Sequence, residues 1–292
     1  MKKIIVFSLL LLFGLGLFAE IRIIKADSGL ELDPKTLSKD LKHYDVIFFG
    51  ERHEDKALHR LQREILPGLL DDERELILSF EMWERDAQKA LDSFISGEMS
   101  EADFKKVSRI WSNYDDYRPL LIFAQKNKLK AIAANVPRAY ASRTAKEGWD
   151  FVEYLPPEER AWIAAKLTAP DDAYREAFFE VMGKMNSHPM NQDNLQNMYL
   201  AQCIKDDTMA ESIVLALKDN PKARIIHFNG DFHSRNFLGT VSRLQNSMPD
   251  LKIAVLTPQE GDPDKEILQS EDSSRPGTHL LFLPASNEEE GR

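Results

Sequence analysis

Residues 224–234 read R-I-I-H-F-N-G-D-F-H-S, and this stretch constrains the fold more than any other. A short apolar run, Ile225, Ile226 and Phe228, ends in Asn229-Gly230 with His233 close behind. That is the pattern of a buried strand running into a tight turn with a polar side chain at its mouth. Asn and Gly both tolerate positive φ, and the turn is expected to use that freedom. Residues 45–53, D-V-I-F-F-G-E-R-H, repeat the grammar: apolar run, Gly50, two residues, His53. Two strand–Gly-x-x-His units so far apart in the chain predict two loops that meet at one site.

The rest of the chain alternates in the same way. Strands are expected at 46–49, 75–81, 129–136, 224–228 and 251–256, with a last edge strand at 279–283. Helices are expected at 56–70, 85–96 and 100–107, the last opened by a capping-box-like Ser100-Glu101-Ala102-Asp103. Another opens at Tyr117-Arg118-Pro119, and a further one covers 235–246. From 137 to 217 the pattern is almost wholly helical, broken at Asn186-Ser187-His188-Pro189. Strands alternating with helices predict an α/β fold, a largely parallel central sheet flanked by helices. The segment 137–217 is then a long helical insertion that forms a lid over the strand carboxyl ends. The organisation expected is a signal peptide over 1–19, one α/β domain over 20–260, and a polar loop, edge strand and disordered tail over 261–292.

In open α/β sheets ligands bind beyond the carboxyl ends of the strands. There this sequence places Glu51 and His53 after the first strand and Glu81 after the second. Asn135 follows the third, and Asn229 and His233 the fourth. Two imidazoles with one or two carboxylates suit a divalent transition metal, for which His53, Glu81 and His233 are the candidate ligands. Without metal, Glu51, His53, Glu81 and His233 suit acid–base catalysis, a carboxylate orienting a histidine. His227 has the parity of a core histidine, His43 and His279 read as surface or strand-edge residues, and His59 lies at best behind the site.

The formal net charge of −10 argues against a nucleic-acid partner, which requires a basic face. Lys2 and Lys3 precede an apolar run from Ile4 to Phe18 that ends at Ala19. This is the pattern of a signal peptide, shorter than a membrane span, and it predicts export to a bacterial periplasm. Cys203, the single cysteine, lies within a helical pattern and reads as a small core residue. No cysteine stands near Ala19 to carry a lipid.

The helical segment carries Met182, Met185, Met190, Met198 and Met209 with Tyr174, Phe178, Phe179 and Tyr199 among them. A Met-rich core accounts for this composition; so does an apolar lid that accepts a flat hydrophobic cofactor. Haem iron takes His, Met, Tyr or Cys, which makes His188, Met190 and Tyr199 eligible haem contacts.

Taken together, Gly50-Glu51-Arg52-His53, Glu81, the run from Ala201 to Ala210 (A-Q-C-I-K-D-D-T-M-A) and Asn229-Gly230-Asp231-Phe232-His233 resemble the ChaN family. These are bacterial haem-binding proteins associated with iron uptake, within the Tiki-like superfamily, and the resemblance covers roughly residues 45–258. It implies haem as ligand and a homodimer that stacks two haems face to face. The wider superfamily implies an alternative, a metal-dependent, peptidase-like hydrolase holding Mn, Co or Zn at His53, Glu81 and His233. Many family members are lipoproteins at the outer membrane. The absent lipidation cysteine departs from that pattern and puts membrane association in question.

Overall fold

The computed structural model describes residues 21–70, 73–185, 191–264 and 275–284. The signal-peptide expectation, most of the loop 261–277 and the tail lie outside these residues. A short hairpin, β1 (Arg22–Lys25) and β2 (Glu31–Leu32), leads into α1 (Pro34–Leu41). Then follow β3 (Val46–Glu51), α2 (Lys56–Leu69), β4 (Leu76–Glu84), α3 (Gln88–Ser96), α4 (Glu101–Val107), α5 (Tyr114–Asn127) and β5 (Lys130–Asn135). The helical part comprises α6 (Arg138–Glu147), α7 (Pro157–Arg160), α8 (Ala173–Met185) and α9 (Gln192–Asp219). The chain returns through β6 (Arg224–Gly230), α10 (Thr240–Ser247), β7 (Ile253–Gln259) and β8 (His279–Phe282).

The strands form one sheet in the order β2-β1-β8-β7-β3-β6-β4-β5. Among the described residues only the pairings of β1, with β2 and with β8, are antiparallel; the others are parallel. The central strands β3, β4 and β6 are buried along their whole length, which is why their sequences are almost continuous apolar runs. Alternate residues serve opposite faces. Ile47, Phe49, Leu78, Phe80, Ile226 and Phe228 pack under α2, α3 and α5. Val46, Phe48, Ile77 and Ile225 pack with Ile213 and Leu217 of α9 and with Val241 and Leu244 of α10.

Helix starts follow their caps. Asp33 accepts from the Thr36 amide at 2.7 Å, Asp55 from those of Ala57 and Leu58, and Ser100 from that of Asp103. Four expectations change. The residue range 279–283 does not form an edge: β8 lies between β7 and β1, and His279 is fully buried, bonded to Asp40 at 3.0 Å. Helix α5 begins at Tyr114, with Pro119 inside it. Asp115 and Asp116 in its first turn favour that earlier start, against the one backbone bond proline forfeits. The expected helix 235–246 is broken: Asn236 and Phe237 both take left-handed φ of 59°, and α10 starts only after Gly239.

The fourth change lies in 137–217, where residues 161–172 between α7 and α8 are not helical. Side chains of α9 satisfy the backbone there instead. Thr208 Oγ1 accepts from the Ala164 amide, Glu211 from that of Ala165 and Asp207 from that of Thr168. Helix α9 thereby does two jobs: its carboxyl half covers the sheet and its amino half stands over the strand ends. No described helix is long and apolar enough to cross a membrane.

Candidate functional site

The site forms where three neighbouring strands, β3, β6 and β4, end side by side. The parallel register pairs Gly50 with Asn229 and Glu51 with Gly230. Strand β4 leaves β6 after the Phe80–Phe228 pair, and its register with β5 is irregular between Phe80 and Glu84. Glu81 sits at this irregularity. It is buried, and its Oε2 accepts the Gly230 amide at 2.7 Å.

Gly230 has φ −58°, so the expected use of positive φ is wrong. Its role is to have no side chain. A Cβ there would lie 2.9 Å from His53 Nε2, 3.1 Å from its Cε1 and 3.6 Å from Glu81 Oε2. The glycine leaves a notch between the imidazole and the carboxylate. Gly50 is similarly hemmed, by Asp231 Oδ1 at 2.8 Å and the Leu256 carbonyl at 2.9 Å.

On one side of the notch, His53 Nδ1 lies 3.0 Å from Glu51 Oε1. Tyr117 donates its hydroxyl to the same oxygen at 2.5 Å, and Gln62 donates its amide to the other. His59 stands behind, bonded to Gln62 at 3.0 Å and to the His53 carbonyl at 2.8 Å. Trp111 presents its ring edge-on to His53, with centroids 4.9 Å apart. The His53 side chain is 40% exposed, so solvent reaches it. Burial lowers its pKa, but the Glu51 bond and the Glu81 charge outweigh this and raise it above 6.5.

On the other side, buried His233 bridges two carboxylates: Nδ1 to Asp206 Oδ1 at 2.7 Å and Nε2 to Glu81 Oε1 at 3.3 Å. Burial alone would make this imidazole neutral; Glu81 and Asp206 reverse that and push it up to about 9. The same pairing holds Glu81 and Asp206 below the usual carboxylate range against their own burial. Asp206 also accepts from Tyr174 at 2.6 Å and Thr240 at 2.7 Å. Gly239 explains how Thr240 arrives: a Cβ there would lie 2.6 Å from the His233 carbonyl, so the chain passes too close for any side chain.

The expected residues Glu51, His53, Glu81 and His233 are therefore brought together. Asn135 only braces the strand, donating to the Glu81 carbonyl at 3.0 Å. His227 is a core histidine bonded to Ser79, its pKa pushed down to about 3 by burial. Among the described residues no group of three or more His, Cys, Asp or Glu is placed to hold a metal ion. Of the expected metal set, His233 Nε2 faces Glu81 Oε1 at 3.3 Å with Asp206 on its Nδ1, and His53 Nδ1 faces Glu51. Tyr199 is buried, packs in one cluster with Phe178, Met182 and Met198, and donates its hydroxyl to the Pro170 carbonyl at 2.6 Å. His188 and Met190 lie outside the described residues. Cys203 is core, its thiol pushed up to about 12 by burial.

Roles for Asp206, Tyr117 and Gln62 were not assigned from sequence. Asp206 follows the apolar Cys203-Ile204 and precedes Met209-Ala210 on one helix, and that placement is the signal that points to the first, since a buried carboxylate requires a partner. Tyr117 and Gln62 carry no such mark.

Beside this site runs a groove of about 410 Å³ between α6, α8 and α9. Phe178, Met182, Met198, Ala141, Ala145 and Ala201 make its apolar walls, and Arg138 and Lys205 add two cations. Gln202, also in its lining, approaches both ring nitrogens of His233 at 3.3 Å.

Comparison with known proteins gives a consistent picture. A family profile described as "Haem-binding uptake, Tiki superfamily, ChaN" matches residues 37–244. The structure of ChaN of Campylobacter jejuni, reported for cofacial haem binding, is 15% identical, covers 90% of this chain and 97% of that one, and superposes with a TM-score of 0.68. At that identity it shows a shared fold. Protein RETICULATA-RELATED 5, chloroplastic, from Arabidopsis thaliana is 24% identical over 278 residues, 87% of this chain. This chain spans only 36% of that protein. An erythromycin esterase mutant in its open conformation is 9% identical over 84% of this chain and 77% of its own, with a TM-score of 0.44, too low to carry an argument.

Proposed function

We propose that this chain, which belongs to the haem-binding uptake ChaN family of the Tiki superfamily, binds haem in the groove between α6, α8 and α9. The observation that carries the reading is the groove's chemistry. Three alanines on α6 and α9 let a flat ring approach the helices closely, and Phe178, Met182 and Met198 supply apolar contact. Arg138 and Lys205 suit the two propionate carboxylates. Met182 and Met198 also bring thioethers, a ligand type haem iron accepts. When bound, haem would supply the iron that an uptake or handling protein carries.

Titration of purified protein with haemin tests the reading. The expected result is a shifted Soret band that saturates near one haem per chain, with affinity lowered at least about tenfold in the Arg138→Glu, Lys205→Glu double variant. A titration that never saturates, or one indifferent to the double variant, overturns the placement. Export is part of the same proposal and is supported by the basic Lys2-Lys3 followed by the apolar run to Ala19. Cell fractionation with N-terminal sequencing checks it: periplasmic or outer-membrane-associated protein beginning at residue 20 is expected. A homodimer, as the family resemblance implies, predicts that haem loading moves the chain to dimer mass in solution scattering.

A further inference from the structure

We propose that a second groove, between residues 161–172, α9 and α10, binds a long-chain carboxylate at a site separate from the haem groove. The cavity measures about 570 Å³, within the size range of small-molecule sites. Its floor is one stripe of α9, made by Asp207, Ala210, Glu211, Val214, Leu215 and Lys218 at spacings of three and four residues. The haem groove uses Met198, Ala201, Gln202 and Lys205 of the same helix. The helical repeat puts those four on the opposite side of α9 and nearer its amino end.

The walls are held in place by the fold itself. The amides of Ala164, Ala165 and Thr168 donate to Thr208, Glu211 and Asp207 at 3.2, 2.7 and 2.6 Å, which ties the loop to α9. Arg243 of α10 closes the other side, donating Nε to Asp207 at 2.6 Å and Nη2 to the Thr168 carbonyl at 3.3 Å. Inside this frame Leu215 is 49% exposed, beside Ala210 and Val214. A fixed cleft with an apolar floor gains from a ligand that covers it.

Charge selects an anion. The acids in the lining are already engaged: Glu211 accepts from Arg85 and the Ala165 amide, and Asp207 from Arg243 and Thr168. Lys166 and Lys218 form no ion pair among the described residues, in a chain whose formal net charge is −10. Arg243 has given Nε, Nη1 and Nη2 to Asp207, Gly239 and Thr168, so this groove offers phosphate no guanidinium fork. Two ammonium groups suit a carboxylate head.

Shape selects the body. From Asp207 to Lys218 the stripe runs about 16 Å at the rise of an α-helix. The volume spread over that length gives a cross-section of about 35 Å², enough for one hydrocarbon chain and less than half that of a helix about 10 Å across. That length takes roughly a dozen extended methylenes.

The test is calorimetric titration of the full chain with octanoate, decanoate, dodecanoate and tetradecanoate, each kept below its micelle concentration. One site per chain is expected, with affinity rising about two- to fourfold per methylene as far as dodecanoate and then levelling off. The Lys166→Glu, Lys218→Glu double variant and Leu215→Glu should each weaken dodecanoate at least about tenfold. All three positions are exposed, so circular dichroism should report an unchanged fold. Dodecanol, which has the chain without the charge, should also bind at least about tenfold more weakly. No saturable binding, indifference to the double variant, or dodecanol matching dodecanoate overturns the proposal. So does association with phosphatidylglycerol vesicles by a chain that binds no free dodecanoate. Haemin titration of the double variant separates the two grooves: an unchanged Soret shift supports the assignment, whereas haemin that displaces dodecanoate puts haem in this groove and overturns it.

Discussion

Gly230 packs against the imidazole of His53, and substitution there acts on that one contact. Gly230→Ala places a methyl group 2.9 Å from Nε2, so the ring must swing out or the strand end must shift. A loss of about 1–3 kcal/mol in denaturant unfolding is expected. An unchanged unfolding curve would mean the loop after β3 yields freely. His233 sets a pH dependence whose sign follows from its partners. Its folded pKa of about 9 stands above the ordinary 6.5, so the stability it contributes is complete below 6.5 and is lost as pH rises through about 9. Glu81 and Asp206 are shifted downward, so their contributions hold above the usual carboxylate values and fade as pH falls through the depressed ones. The wild-type advantage over His233→Gln, read by urea unfolding, should therefore be largest near about pH 6 and shrink by about pH 10. An advantage flat across that range would show that His233 is neutral in the fold.

Helix α2 carries His59 and Gln62, which hold the His53 carbonyl and Glu51 respectively, and it is started by Asp55. Asp55→Ala removes the acceptor for two amides and should cost about 1 kcal/mol of stability. The companion effect expected is faster amide exchange over residues 56–60, measured by mass spectrometry; unaltered exchange there would show the helix start to be held by packing alone. Strand β4 was legible as an apolar run ending on a carboxylate, but its continuation to Glu84 was not. The irregular pairing with β5 that frees Glu81 to reach Gly230 depends on the neighbouring strand, which leaves no local mark in sequence. The same holds for residues 161–172, which look helical by composition and yet are tied down by side chains of α9 some forty positions later.

Across the molecule, burial falls from the middle of the sheet to its hairpin edge. Strands β3, β6 and β4 are covered on both faces, whereas β2 contributes two residues with one exposed. Hydrogen exchange should follow that gradient, slowest in the three central strands and fastest in β1 and β2. Equal protection across the sheet would show instead that it opens only by global unfolding.

The apolar runs, the two Gly-x-x-His units and the strand–helix alternation determined the α/β class and the sheet edge that carries the site, because hydrophobic periodicity is a local property that each segment displays alone. Tertiary structure decided which nitrogen of which histidine is free. It decided that Asp206 and Glu81 flank the two nitrogens of His233, and that Gly230 serves by lacking a side chain rather than by its φ. Those outcomes depend on partners brought together from β3, β4, α5 and α9. The strength of a buried charge pair is set by who stands opposite, which no single stretch of chain contains.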